Sequence, residues 1–223
     1  SLIPGLLNTV GYNVARKQKD LKLVEIGRVF FGSGDDNVQP KETLYLSAAL
    51  TGEERVTKWL KDSRELDFYA AKGYLEVALE YLGLDQKVTY KKLTIDGMHP
   101  GRTAEVYLGE ERIGLIGEVY PLVAEKLGLN RTYVFEINLD KVILEDKVKP
   151  KYEEVTKYPE ITRDIAMLVD LEDEYQNIYN TIENVNSKLI TNVELFDLYV
   201  GLELAAGKKS LALTITYSDK EKT

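Results

Sequence analysis

The stretch from His99 to Pro121 constrains this chain more than any other. Two runs rich in β-branched and aromatic residues, Thr103-Ala104-Glu105-Val106-Tyr107-Leu108 and Arg112-Ile113-Gly114-Leu115-Ile116-Gly117-Glu118-Val119-Tyr120, flank the connection Gly109-Glu110-Glu111. This pattern predicts a β-hairpin whose loop is slightly longer than the tightest type. Ala104, Val106 and Leu108 alternate with Glu105 and Tyr107, so one face is expected to be buried. Gly114 and Gly117 leave room for another backbone or side chain to lie close on the returning strand. Met98-His99-Pro100-Gly101-Arg102 reads as a stiff turn ahead of the hairpin, ending in a guanidinium and carrying the only histidine of the chain.

The other elements follow from periodicity and turn signals. Ser1 caps a first helix with Pro4 in its first turn, and Leu6, Leu7, Val10 and Val14 recur at helical spacing. Residues 21–31 and 44–50 read as strands joined by a loop over 32–40. A polar segment around Trp59 follows. Asp67 begins a helix with Ala70, Ala71, Tyr74, Leu75, Ala78, Leu79 and Leu82 on one face, and Gly83 stops it. Residues 88–93 predict a strand, 122–127 a short helix and 133–139 another strand. Residues 140–158 turn charged and lose apolar periodicity, which places a domain boundary near 150. Beyond it, strand 161–169, helix 175–186 and strands 190–200 and 211–217 give β-α-β-β, the opening of a ferredoxin-like βαββαβ unit that stops before its second helix and last strand. The fold class expected is α+β on a largely antiparallel sheet, with domains at 1–145 and 146–223.

Composition narrows the function classes. The 223 residues are 44% hydrophobic and 30% charged, and carry no cysteine, so disulfides and thiolate metal sites are excluded. No apolar run is long enough to span a membrane and no signal peptide is visible, which predicts a cytoplasmic protein. A net charge of −8 argues against binding DNA or RNA through bulk charge, so any RNA contact must be local.

Single residues are weighed against structural roles. His99 lacks partners at ligand spacing and reads as a turn residue rather than a base or metal ligand. Arg102 reads as half of an ion pair with Glu105 or Glu118, the alternative being an anion or RNA phosphate. Arg28 is assigned to structure. Gly32-Ser33-Gly34 lacks the Lys-Ser/Thr ending of a phosphate loop, and Asp35-Asp36 reads as a solvated pair. No metal site is expected.

Several ordered segments resemble the C-terminal part of the β subunit of bacterial phenylalanyl-tRNA synthetase. They are residues 1–7, Glu25-Ile26-Gly27-Arg28-Val29-Phe30, Asp67-Phe68-Tyr69 with Lys72-Gly73, His99–Glu105, Ile113–Val119 and Arg163-Asp164-Ile165-Ala166. The resemblance covers nearly the whole chain. It implies an inactive module folded like a class II synthetase catalytic domain, packed against the catalytic α subunit, followed by a shortened ferredoxin-like anticodon-binding domain. It implies tRNA(Phe) as the RNA partner. ATP and magnesium belong to the whole enzyme, with no cofactor in this segment. In active relatives an arginine in this strand pair holds the α-phosphate of ATP; here Phe31 stands at that position, and a phenyl ring donates no hydrogen bond to a phosphate. No residue of this chain is therefore expected to be catalytic.

In the second domain, Phe196 and Tyr199 are the foremost stacking candidates, and Arg163, Lys208 and Lys209 the phosphate-binding ones. Residues 151–223 carry 8 Lys+Arg against 14 Asp+Glu, which limits RNA contacts to a few. Strict alternation puts Leu195 and Tyr199 on one face and Phe196 and Leu198 on the other, so only one aromatic forms a base platform. The alternatives are an adenylate-forming catalytic domain and a free-standing protein-interaction module.

Overall fold

The structure is a computed structural model. It describes residues 1–32, 34–35, 37–57, 59, 62–84, 87–143, 152, 157–185, 188–201 and 203–219. The chain divides into two units, Ser1–Pro150 and Lys151–Thr223. Most of the charged stretch 140–158, Ser33 and Asp36 lie outside the described residues.

The first unit is built on one antiparallel sheet. Its strands are β1 (Leu21–Phe31), β2 (Lys41–Thr51), β5 (Val88–Lys92), β6 (Met98–Leu108), β7 (Glu111–Val119) and β8 (Thr132–Asn138), in the order β1-β2-β8-β7-β6-β5. Because side chains alternate, the sheet is apolar on both faces and needs a cover on each. Helix α2 (Phe68–Tyr81) covers one face, where Ala71 and Leu75 pack with Val106, Ile116 and Phe135. Helices α1 (Ile3–Val14) and α3 (Pro121–Lys126) cover the other, where Leu6, Leu7 and Val10 meet Ala49, Val119 and Val134.

The hairpin that dominates the sequence is the β6–β7 pair. Leu108 lies opposite Glu111, so only Gly109 and Glu110 form the loop, one residue shorter than expected. Gly109 has φ +61°, the conformation a type II′ turn requires at its first position, and glycine adopts it without strain. Ala104, Val106 and Leu108 are buried. A side chain on Gly114 would meet the Glu136 carbonyl of β8, and a Cβ on Gly117 would stand 2.5 Å from Thr103 Oγ1, so both glycines permit close strand contact.

Several expectations are corrected. Met98–Arg102 is not a turn ahead of the hairpin but the start of β6: Met98 pairs with Val119 and Thr103 with Gly117, so the four residues 99–102 bulge out opposite Glu118 alone. The helix cap at the N-terminus is Leu2, although Ser1 Oγ accepts the Ile3 N–H at 3.2 Å. The polar segment near Trp59 contains a two-stranded hairpin, β3 (Glu53–Thr57) with β4 (Asp62–Glu65), and β8 runs into a short helix α4 (Leu139–Ile143) that charge had hidden. Tyr74, expected on the buried face of α2, is 39% exposed. Asp67 does cap α2, its carboxylate accepting the Ala70 N–H at 2.7 Å.

The second unit comprises β9 (Ile161–Asp170), α5 (Tyr175–Glu183), β10 (Ile190–Tyr199) and β11 (Lys208–Tyr217), with sheet order β10-β11-β9. β11 runs antiparallel to both neighbours, so β9 and β10 are parallel and α5 is the crossover between them. Val193, Leu213 and Ile215 bury against Ile178, Tyr179 and Ile182 of α5.

Candidate nucleic-acid interface

Strand register sorts the candidate residues of the second unit onto two faces. Arg163 pairs with Ile215 and Lys209 with Val169, which places both on the α5 side of the sheet. They are six residues apart along the strands, about 20 Å. Arg163 donates to the Thr162 carbonyl at 2.9 Å and is otherwise exposed. Lys209 Nζ donates to the carbonyls of Leu171, at 3.0 Å, and Asp173, so its charge ties β11 to the turn after β9.

Lys208 and Tyr199 lie on the opposite face and at the same end. Lys208 sits across from Asp170 and forms a 2.7 Å ion pair with it. Tyr199 lies across from Ser210, which in turn faces Leu168 of β9, and Leu168 is 53% exposed. A large exposed apolar side chain on a strand face otherwise made of Thr162, Asp164, Ala166 and Asp170 is the signal by which Leu168 joins Tyr199 as a candidate stacking surface.

Phe196 corrects the alternation rule. Leu195 lies across from Leu213 and Asp197 across from Ala212, so Phe196 is an extra residue, a bulge, and is 54% exposed. Past it the faces reverse, and Tyr199 stands opposite to Leu195 rather than with it. The conclusion that strict alternation separates the two aromatics therefore loses its basis. Acidic groups share this open face: Asp164 accepts a hydrogen bond from Thr214 Oγ1 at 2.7 Å.

The residues assigned to structure in the first unit are all engaged. Arg28 pairs with Glu42 at 3.5 Å across β1 and β2, on the exposed surface. His99 Nδ1 accepts the Gly101 N–H at 3.1 Å and its carbonyl accepts Thr103 Oγ1 at 2.7 Å, which shapes the bulge. Of the two candidate partners for Arg102, Glu118 is the one it contacts, at 2.6 Å, while Glu105 pairs with Arg112 at 2.7 Å. Glu118 is 2% exposed and also faces Arg131 at 3.6 Å. Arg131, in the loop after α3, was not foreseen; nothing periodic marks it. Burial, reinforced by the Glu118 charge, pushes the Tyr133 hydroxyl up to about 12.

Comparison with known proteins bears on both units. The family model described as the phenylalanyl tRNA synthetase beta chain CLM domain matches residues 1–139, and the ferredoxin-fold anticodon binding domain matches residues 156–223. The phenylalanine–tRNA ligase β subunit of Staphylococcus haemolyticus (strain JCSC1435) is 44% identical over 223 residues, and that of Staphylococcus aureus (strain USA300) is 40% identical. Each alignment covers 100% of this chain and 28% of the relative, so the chain spans 28% of the length of the curated relatives it matches. A solved pyrrolysyl-tRNA synthetase from Desulfitobacterium hafniense is similar over 65% of this chain and 48% of that chain, at 14% identity and a TM-score of 0.42, too remote to inform the fold.

Proposed function

The chain belongs to the phenylalanyl-tRNA synthetase β-chain family, and from that premise we propose that it is a non-catalytic, tRNA-binding and subunit-docking part of phenylalanine–tRNA ligase. Residues 1–145 form a class II synthetase-like module that seats the catalytic α subunit. Residues 146–223 contact the anticodon loop of tRNA(Phe). ATP and magnesium act in the whole cytoplasmic enzyme, not at this module.

The observation that carries this reading is the β1–β2 strand pair. Phe31 ends β1 opposite Lys41, and the one arginine of β1, Arg28, is taken up by Glu42. The residues present there do not fit ATP: a phenyl ring offers no donor, and a guanidinium already facing a carboxylate offers its charge less freely. An adenylation site needs several such groups placed together. These features disfavour an adenylate-forming domain.

For RNA, single-stranded loops are read by stacking and base-edge hydrogen bonds. Tyr199 and Leu168 supply an apolar surface on the open face, while the ammonium of Lys208 beside it is already paired with Asp170. Arg163 is the more available cation of the other face, since Lys209 is held by two carbonyls. The test is tRNA(Phe) binding by the intact two-subunit enzyme at low ionic strength. Tyr199→Ala and Arg163→Ala should each weaken binding several-fold, and the Arg163 effect should shrink at high salt. Unchanged affinity in both variants would remove the RNA assignment from these residues.

A further inference from the structure

The Arg102–Glu118–Arg131 cluster is one anion short. Glu118 is a single buried carboxylate facing two guanidiniums. Arg102 gives it one N–H, and Arg131 reaches it only at ion-pair distance, so most of their donors remain unused among the described residues. Both line a cleft of about 540 Å³ between the start of α2 and β6, and Lys92 of β5 lines it too. Lys92 pairs with Ala104 in register, which turns its side chain to the same face as Arg102. Among the described residues it has no carboxylate partner. The acid that lines the cleft, Asp67, is already committed to the α2 backbone and to Arg64 at 3.6 Å. Like charges gathered at one point repel, and the arrangement is relieved by an oxyanion that accepts several N–H donors at once. In a chain of net charge −8 such a concentration of cations is local and specific.

We infer that this cleft binds a phosphate group, held by Arg102, Arg131 and Lys92, with Glu118 fixing the two arginines in place. Two planar guanidinium forks and one ammonium suit the several oxygens of a phosphate. Tyr69 at the rim, 70% exposed and packed edge-on against Phe68, gives a ring on which a base can stack. The phosphate comes from a free nucleotide or from a nucleic-acid backbone; the chemistry of the cleft is common to both. The cleft lies on the α2 face of the first unit and uses none of the residues proposed above for the anticodon contact.

The experiment titrates inorganic phosphate, AMP and a short single-stranded oligoribonucleotide into the 223-residue chain at constant ionic strength, by calorimetry and by amide chemical shifts. Saturable binding is expected, with shifts at Thr103 and Arg131. Arg131→Gln and Lys92→Gln should each weaken it roughly tenfold. Lys91→Gln removes the same charge from the opposite face, where Lys91 covers the Tyr107 ring at 4.2 Å, and should leave binding unchanged. Thermal unfolding of each variant verifies that it is folded. Tighter binding of the oligonucleotide than of AMP assigns the site to a nucleic-acid phosphate, and the reverse assigns it to a free nucleotide. Absence of saturable binding of all three probes, or equal weakening by Lys91→Gln and Lys92→Gln, overturns the proposal.

Discussion

Arg102 donates a 2.6 Å hydrogen bond to Glu118, sixteen residues on along the chain and across the β6–β7 pair, where the carboxylate is almost wholly shielded from water. Removing one partner of such a pair leaves a buried charge exposed to repulsion or without solvation. Glu118→Gln should therefore destabilise the first unit by roughly 2 kcal/mol. That is below the usual 3–5 kcal/mol for fully buried pairs, because both arginines still reach solvent. Arg131→Gln should cost less than Arg102→Gln, since Arg131 stands 3.6 Å away. Urea unfolding of the three variants gives the ranking.

Two glycines, one on the returning strand and one in α2, predict an unequal pair of substitutions. At Gly114 an added methyl group meets the Glu136 carbonyl, which the β7–β8 ladder holds in place. Gly114→Ala should destabilise by roughly 3 kcal/mol through overpacking. At Gly73 in α2 nothing lies within 4 Å of an added Cβ. Gly73→Ala should stabilise by about 0.5–1 kcal/mol through helix propensity.

Alkaline pH should loosen the fold at Tyr133. Its hydroxyl is pushed up to about 12 by burial and by Glu118, against an ordinary value of 10. Between these values the folded state holds a proton that the unfolded state has released, so stability falls as pH rises from about 10 to about 12. Tyr90 moves in the same direction, chiefly by burial. Tyr133→Phe should flatten the decline in stability measured by denaturant unfolding across that window. An unchanged slope would mean that Tyr133 does not contribute.

Lys209 should act on stability first. Its ammonium ties β11 to the carbonyls of Leu171 and Asp173. Lys209→Met, which keeps the apolar stem, should lower the unfolding midpoint of the second unit by about 1 kcal/mol in equivalent free energy. Lys208→Met, removing only an exposed pair with Asp170, should change it by less than about 0.5 kcal/mol.

Alternation and punctuation carry much of the fold in the residues themselves. Ala104, Val106 and Leu108 announce a half-buried strand, Asp67 and Gly83 bracket α2, and the β-α-β-β order announces the topology of the second unit. What escaped has a physical cause in each case. β3 and β4 are short and charged, so they show no apolar period. The bulge at Phe196 depends on how β10 meets β11, a tertiary event that no residue in β10 declares. The pairing of Arg131 with Glu118 joins a loop to a strand that are apart in sequence. Lys208 and Lys209 look alike as a dipeptide, yet alternation sends one to Asp170 and the other to backbone carbonyls on the opposite face.

The most direct test of the central claim is pyrophosphate exchange with phenylalanine and ATP by this chain alone, with Phe31→Arg measured beside it. A non-catalytic module predicts background exchange in both, because one restored guanidinium does not assemble the several groups that adenylation requires. Phenylalanine-dependent exchange above background by the unmodified chain would contradict the account.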